Sequence, residues 1–343
     1  MRILLWSDGD RAKSAAAREW FYDMHALLQQ QDVDVDLNDL GEKHYDVALI
    51  HWGRLDRIYQ IQKHSPNAHI GVLNPGYLGF PLEYIGINEG KVNKQDLDLL
   101  VSNVDFFVVS SFAWRDMLLQ FKRRVYQIVD YVTDLQAKPV KHHQKNEDLI
   151  IGYHGNEIHY AQDFFPNGAN ALKRLAQEHQ ITLKLVMRNV ASQPRIPGVR
   201  TIGVEWKLND FEQHLQSFDI GICPSFSDLR QLSDPFTYIR NPNRAISLLA
   251  YGIPSVTSPI FESCNTLTNN ETTLFAITED GWYDSLKSLI TQPELRTKIG
   301  KAGRQLVERS FSEEVIAADF HFMLKEEMKK TVFPKTGIGS QIL

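Results

Sequence analysis

The sequence has little of what a secreted, metal-bound or membrane-spanning protein needs. Its 343 residues include only two cysteines, Cys223 and Cys264, too few for a disulfide framework and set in no metal-ligand spacing. Such sparing use fits a reducing compartment, and the cytoplasm is the expected one. Long uncharged apolar runs are missing, so no membrane span is predicted; peripheral association with a membrane stays open. The opening run Met1-Arg-Ile-Leu-Leu-Trp-Ser7 reaches Asp8, Asp10 and Arg11 too soon to be a signal peptide. No concentrated basic face is visible either. The net charge is −5 with Lys and Arg dispersed, which argues against nucleic acid as a partner. The densest basic run, Lys138 to Lys145 with His142 and His143, reads as a solvated hinge. Adjacent histidines diverge and do not share a metal ion.

What the chain does have is the composition of a globular protein, 43% apolar, and enough length for two domains. Buried-strand patterns alternate with helical ones. In the first half, strands are expected at Arg2–Ser7, Val33–Leu37, Asp46–His51, His69–Leu73, Phe106–Ser110 and Tyr126–Val129. Helices are expected at Lys13–Gln30, Leu55–Lys63, Lys94–Ser102 and Trp114–Phe121, with an irregular Gly- and Pro-rich segment from Asn74 to Gly90. The alternation restarts at Leu149 and continues to a last helix ending near Lys330. This is the signature of α/β domains with mostly parallel sheets covered on both faces. The boundaries read as a first domain 1–137, a linker 138–148, a second domain 149–312, a helix 313–330 that can pack back on the first domain, and a loose tail 331–343.

One stretch, Asn241 to Ser258, stands out. Asn241 suits an N-cap and Pro242 the first helical position. Ala245, Ile246, Leu249 and Ala250 supply a helix-period stripe, and Gly252 and Pro254 end it. The N-terminus of that helix, with Arg244, is a ready anion site; an ordinary packed helix with a surface arginine is the alternative. In parallel sheets ligands gather at the carboxyl ends of strands, which nominates Gly155 and Asn156 after Leu149–Tyr153, Arg188 after Thr182–Met187, and Ser225 after Asp219–Pro224. Gly155 would allow close backbone approach, and Arg188 and Arg244 could clamp a diphosphate through planar guanidinium groups.

A succession of motifs carries a resemblance. Ile151-Gly-Tyr-His-Gly155, Asp219-Ile-Gly-Ile-Cys-Pro-Ser225, Ala250-Tyr-Gly-Ile-Pro-Ser-Val-Thr-Ser258, Asn270-Glu-Thr-Thr-Leu-Phe275 and Gly300-Lys-Ala-Gly-Arg304 with Phe311-Ser312 fall in order over residues 149–325. Together they resemble the nucleotide-sugar-binding domain of GT-B glycosyltransferases, most closely the retaining family-four type. The first half matches loosely, through its opening strand and Asp46-Val-Ala-Leu-Ile-His-Trp52. The resemblance implies a GT-B fold: two Rossmann-like βαβ domains facing each other across a cleft, the first holding the acceptor and the second the nucleotide-sugar donor. It implies sugar transfer to a glycan or glycoconjugate, as in polysaccharide biosynthesis, with no cofactor or metal beyond the donor itself.

By that resemblance Asn243 and Arg244 cradle the diphosphate, with Arg188 assisting, and charge placed in advance stabilises the leaving group. The family's spaced glutamate pair would fall on Ile239 and Ser247; Ser247 can still bond a ribose hydroxyl, Ile239 cannot replace a carboxylate. His51, ending a strand of the first half, is the candidate acceptor contact or base, with Asp8 and Glu262 behind it. Tyr77, Phe80 and Tyr84 offer faces on which an acceptor sugar can stack. GT-A enzymes use an Asp-x-Asp metal motif instead; Asp8-Gly-Asp10, Asp34-Val-Asp36 and Asp96-Leu-Asp98 spell it, but read as a turn, a strand face and a helix surface. A nucleotide-sugar 2-epimerase and a non-catalytic sugar-nucleotide or glycan binder are the rival readings on the same fold.

Overall fold

The computed structural model of the chain describes residues 1–12, 14–75, 78, 94–145, 148–228, 230–231 and 234–335. It divides into two compact units, Met1–Tyr131 with Glu313–Leu343, and Val132–Ser312. Each is built on a parallel sheet of six strands, which is the α/β architecture expected from the alternating pattern.

In the first unit the strands are β1 (Arg2–Trp6), β2 (Asp34–Leu37), β3 (Val47–His51), β4 (His69–Leu73), β5 (Phe106–Val109) and β6 (Arg124–Gln127), in the spatial order β2-β1-β3-β4-β5-β6. All neighbours run parallel. Strands β3, β4 and β5 are buried at every residue, as continuous apolar runs between helical layers must be. The core joins Ile3, Leu5, Val47, Leu49 and Phe106 to Trp20, Phe21 and Met24 and, from the far end of the chain, to Ile316, Phe320 and Leu324.

The helix Glu313–Met328 is thus part of the first unit, and its last turn is locked there. Glu327 is fully buried and accepts from Arg124 Nε at 2.7 Å, Tyr126 Oη at 2.8 Å and His69 Nδ1 at 2.9 Å. Burial raises the carboxyl pKa, but hydrogen bonds from His69, Arg124 and Tyr126 more than reverse this and hold it below its ordinary value. The tail beyond is not loose where it is described. The Phe333 amide donates to Asp105 Oδ1 at 2.7 Å, Arg123 and Arg124 lie over the Phe333 ring, and Lys335 pairs with the buried Asp105 at 3.1 Å. Periodicity could not reveal an anchor made by single residues.

In the second unit the strands are β7 (Leu149–His154), β8 (Ile181–Met187), β9 (Arg200–Glu205), β10 (Ile220–Cys223), β11 (Ser255–Thr257) and β12 (Leu274–Phe275), ordered β12-β11-β10-β7-β8-β9 and all parallel. Ile151, Tyr153, Leu183, Leu185 and Ile222 pack against Phe164, Leu172, Trp282 and Leu286. Gly152 is required in β7, because a Cβ there would lie 2.0 Å from the Phe218 ring.

The basic run Lys138 to Lys145 is solvated only in part: Pro139, Val140, His142, Gln144 and Lys145 are exposed, and three residues are held. Lys138 is buried against Glu212, Lys141 Nζ donates to the Phe218 carbonyl at 2.7 Å and pairs with Asp219 at 2.9 Å, and His143 Nε2 meets the Gly252 carbonyl at 2.8 Å. A run of cations looks solvated in sequence; here orphan carbonyls and carboxylates of the second unit hold it. In both units the first helical crossover contains a π-helical turn, Arg18–Asp23 and His159–Phe164; the first interrupts the helix expected over Lys13–Gln30.

Candidate functional site

The strand order fixes where ligands can bind. In the second unit β7 has β10 on one side and β8 on the other, so successive connections leave it in opposite directions and open a crevice at the carboxyl ends of β7 and β10. Gly155 follows β7 with φ +135°, a conformation L side chains rarely adopt, and a Cβ there would stand 3.0 Å from Arg244 Cδ. Glycine therefore lets the Arg244 side chain lie across the turn. One terminal nitrogen of that guanidinium donates to Tyr153 Oη at 3.1 Å and the other to the Pro224 carbonyl at 2.6 Å, joining the ends of β7 and β10. Tyr153 Oη in turn donates to the Asn156 carbonyl at 2.6 Å. His154 is buried, and its Nε2 lies 3.2 Å from the Arg244 carbonyl; a carbonyl only accepts, so Nε2 carries the proton. Burial, with Arg244 nearby, pushes the His154 pKa down to about 4 and keeps the ring neutral. Among the described residues no carboxylate pairs with Arg244. Every partner of its guanidinium is neutral, so its charge is left uncompensated.

The helix carrying Arg244 runs Asn243–Leu249. Gly252 ends it in the left-handed conformation (φ +66°) that the sequence called for. Its start is shifted from expectation. Pro242, not Asn241, is the N-cap: it is non-helical at φ −84°, ψ 30°, and its carbonyl accepts from the Ile246 amide at 3.0 Å. A separate short helix, Pro235–Ile239, capped by the Asp234 side chain, precedes it. The turn between the two helices therefore falls at Arg240–Pro242.

The other nominated residues fall unevenly. Ser225 is buried; its amide donates to Ser258 Oγ at 3.0 Å and its carbonyl accepts from Arg240 at 2.6 Å. Asn156 is exposed and closes its own turn, Oδ1 accepting from the Ile158 amide at 2.9 Å. Asn243 and Ser247 share the Arg244 helix, where the Ser247 hydroxyl donates back to the Asn243 carbonyl at 2.9 Å. Arg188 ends β8, the strand beside β7, and its guanidinium lies 5.8 Å from the Trp206 ring centre rather than on Arg244's partners. Glu262 is buried at the start of the helix Phe261–Thr266, beyond β11. The crevice thus brings together Gly155, Asn156, Ser225 and Arg244, with Arg188 and Glu262 flanking it along the sheet edge.

Sequence reading missed three residues here. Asp163, buried, accepts from Arg240 at 3.1 Å and from His159 Nδ1 at 2.8 Å. His159 and Asp163 stand one turn apart, and that spacing just after the glycine turn was the available signal.

The first unit has a matching crevice. Strand β1 lies between β2 and β3, so the switch falls at the ends of β1 and β3, at Ser7-Asp8-Gly9 and His51-Trp52-Gly53. His51 is 6% exposed; Nδ1 lies 3.0 Å from Ser7 Oγ, which accepts from the Gly9 amide at 3.1 Å. Nε2 is buried without a partner among the described residues. The ring sits between Phe21 and Trp52, with centroids at 5.2 and 4.8 Å. Desolvation, opposed by Asp8, pushes its pKa down to about 4, leaving a neutral imidazole. Trp52 and Gly53 are both left-handed, at φ +58° and +68°, and the indole is 64% exposed. Asp8 is paired with Arg57 at 2.9 Å and Arg54 at 3.4 Å, which makes it a poor base. Tyr77, Phe80 and Tyr84 lie outside the described residues. Among the described residues no group of three or more His, Cys, Asp or Glu could hold a metal ion, and no helix is long and apolar enough to cross a membrane.

Comparison with known proteins bears on the fold. No protein-family model and no curated protein matches the chain. Solved structures do. A sucrose-phosphate synthase from Thermosynechococcus elongatus is similar over 95% of this chain and 98% of its own, with a TM-score of 0.68 at 16% identity. HepE from Anabaena, in complex with UDP and glucose, is similar over 95% and 100%, with a TM-score of 0.61 at 11% identity. A glycosyltransferase from Rickettsia africae covers 96% and 99%, at a TM-score of 0.61 and 14% identity. The fold is that of the GT-B glycosyltransferases, as the motifs implied.

Proposed function

We propose that this chain is a glycosyltransferase that binds a nucleoside-diphosphate sugar on its second unit and moves the sugar to a glycan or glycoconjugate acceptor. The observation that carries the reading is Arg244. An arginine whose partners are a phenol and a carbonyl, set at the β7–β10 crevice, presents uncompensated positive charge where parallel sheets bind ligands. A diphosphate meets that need, and it is also the leaving group whose negative charge grows as the glycosidic bond breaks. On this reading Gly155 and Asn156 let the phosphates approach the backbone, Asn243 and Arg244 present the helix start, and Ser225, Ser247 and Glu262 contact the donor around it. Arg188 adds a second guanidinium from the end of β8.

This charge, supplied by protein groups already in position, makes a metal unnecessary to the scheme. Transfer with retention fits it, because in a front-side reaction the departing phosphate can take the acceptor's proton. His51, neutral and buried in the first unit, then serves as an acceptor contact. UDP in the HepE complex makes uracil the first base to test.

Arg244→Ala is expected to weaken nucleoside-diphosphate binding by about 1–3 kcal/mol, the size of a lost charge-assisted hydrogen bond. Calorimetric titration of UDP, GDP and ADP into wild type and variant checks this, and equal affinities would remove Arg244 from the site. A second reading draws on Ile239 and Arg240. Where the first carboxylate of the family's pair would meet the donor sugar stands the apolar Ile239, and the residue after it, Arg240, is already bound to Asp163. That favours a non-catalytic sugar-nucleotide binder, which tight binding without turnover across an acceptor panel would select. Epimerisation of free donor without acceptor would select the 2-epimerase.

A further inference from the structure

Beside Arg244 lies the cluster His159–Asp163–Arg240. Asp163 Oδ2 is shared by His159 Nδ1 at 2.8 Å and an Arg240 terminal nitrogen at 3.1 Å, and that same nitrogen donates to the Ser225 carbonyl at 2.6 Å. The carboxylate is 5% exposed at its side chain, the imidazole 24%. A carboxylate only accepts, so the Nδ1 facing it carries a proton and the neutral ring presents a lone pair at Nε2. No partner engages Nε2 among the described residues. The ring is therefore oriented from behind by a buried carboxylate, and it is part-exposed and close enough to Arg240 and Arg244 to feel their charge.

The charged groups facing His159 are Asp163 on its own turn, Arg240 from the segment after Pro235–Ile239, and Arg244 from the next helix. Burial lowers the His159 pKa most; the hydrogen bond to Asp163 raises it, and Arg244 and Arg240 lower it again, leaving it below the ordinary histidine value. Protonating the ring would set a third cation beside Arg240 and Arg244, which with burial favours the neutral form. An arriving dianion reverses that balance.

We propose that His159 is a proton-linked phosphate contact: on binding the donor's diphosphate, Nε2 takes one proton from solvent and donates it in a hydrogen bond to a phosphate oxygen, with Asp163 as the residue that positions the ring. No covalent bond is made or broken. The proposal rests on the donor reading above, and adds that affinity for the diphosphate depends on pH.

The sign follows from the two states. The pKa of His159 is depressed in the free protein and raised in the complex, so its contribution is fully present below the free-state pKa and is lost as pH rises through the bound-state value. The experiment is calorimetric titration of UDP, GDP and ADP into the full chain from pH 5.5 to 8.5, in buffers of different ionisation enthalpy. The terminal phosphate of a nucleoside diphosphate titrates in this range too, so the quantity read is the difference between wild type and His159→Gln. Wild type is expected to take up more protons than the variant and to lose about tenfold more affinity across the range, the scale of one charge-assisted hydrogen bond. His159→Lys, a permanent cation, is expected to hold its affinity at pH 8.5. Asp163→Asn is expected to flatten the pH response, which loss of packing alone would not do. If a nucleotide binds and the proton uptake of His159→Gln equals that of wild type, the proposal is wrong while the donor reading stands. If none of the three binds wild type, the donor reading falls and takes this inference with it.

Discussion

The two units answer the same topological question with opposite electrostatics. Each opens a crevice where its first strand meets a neighbour reached in the reverse direction, and in each a histidine pushed to a pKa of about 4 stands at the strand ends. In the first unit the nearby charges cancel: two carboxylates, Asp8 and Asp56, pair with two guanidiniums, Arg54 and Arg57, and Arg57 lies over the Trp6 ring at 4.7 Å. In the second they do not, because Arg244 is spent only on neutral acceptors. A self-neutralised pocket floored by a neutral imidazole and edged by an exposed indole suits an uncharged, hydroxyl-bearing ligand. An uncompensated guanidinium suits an anion. On the proposed reading, that contrast divides acceptor from donor between the units without any appeal to family likeness.

The largest effect expected from breaking this comparison is on stability in acid, and it should be common to both units. His51 and His154 are neutral in the folded chain down to about pH 4 but take a proton near pH 6.5 when unfolded. A depressed pKa gives stability that is present above the unfolded value and lost as pH falls from 6.5 toward 4, at most about 3 kcal/mol for each site. Thermal melts of wild type, His51→Gln and His154→Gln between pH 8 and 5 measure it. Each variant should lose less on acidification than wild type, and parallel curves would show that burial is not holding these rings neutral.

A smaller effect separates the units. Gly155→Ala puts a side chain at φ +135° and a Cβ 3.0 Å from Arg244 Cδ, for a cost of roughly 1–2 kcal/mol in backbone strain. Gly9→Ala, its counterpart after β1, meets Ala17 Cβ at 2.5 Å with no unusual φ. Both should lower the melting temperature. Only Gly155→Ala should also weaken nucleotide binding, since it alone displaces the cation; equal affinities of the two variants would break the link between that turn and the site.

How far the sequence reaches is visible at particular residues. Strand β3 was legible because an uninterrupted apolar run has one home, the middle of a parallel sheet. Gly252 was legible because a helix-period stripe followed by Gly-x-Pro leaves one way to end. The start of that helix was misplaced because proline fits both the cap and the first turn, and only the Pro242 carbonyl, accepting from Ile246, decides between them. At the candidate site Gly155 and Arg244 could be nominated from strand ends. Their joint geometry could not, since Tyr153 reads simply as a core residue. The pairing of Arg240 with Asp163 was invisible for the same reason: residues 77 apart leave no local pattern, whereas His159 and Asp163, one turn apart, do. The single-residue anchors of the tail and of the Lys138–Lys145 run were not legible, because periodicity registers faces of elements and these segments are held one residue at a time.

Arg188 offers the finest test of the contrast, because it is where the second unit's surplus of positive charge either continues or stops. It is exposed at the end of β8, one strand from β7, with its guanidinium 5.8 Å from the Trp206 ring centre. A second arm of a diphosphate clamp and a surface cation resting on an indole make different demands. As a clamp it would contribute at the low end of charge-assisted bonds, because an exposed cation is screened by solvent and salt. Arg188→Ala should then cost about 0.5–1 kcal/mol of nucleoside-diphosphate affinity, more at low ionic strength than at high, and leave the melting temperature of the free chain within about a degree. As a resting cation it would leave affinity unchanged at every salt concentration. Calorimetry of the same nucleotide at two ionic strengths distinguishes the two. A flat result would confine the anion site to the β7–β10 crevice, with Arg244 acting there without help from Arg188.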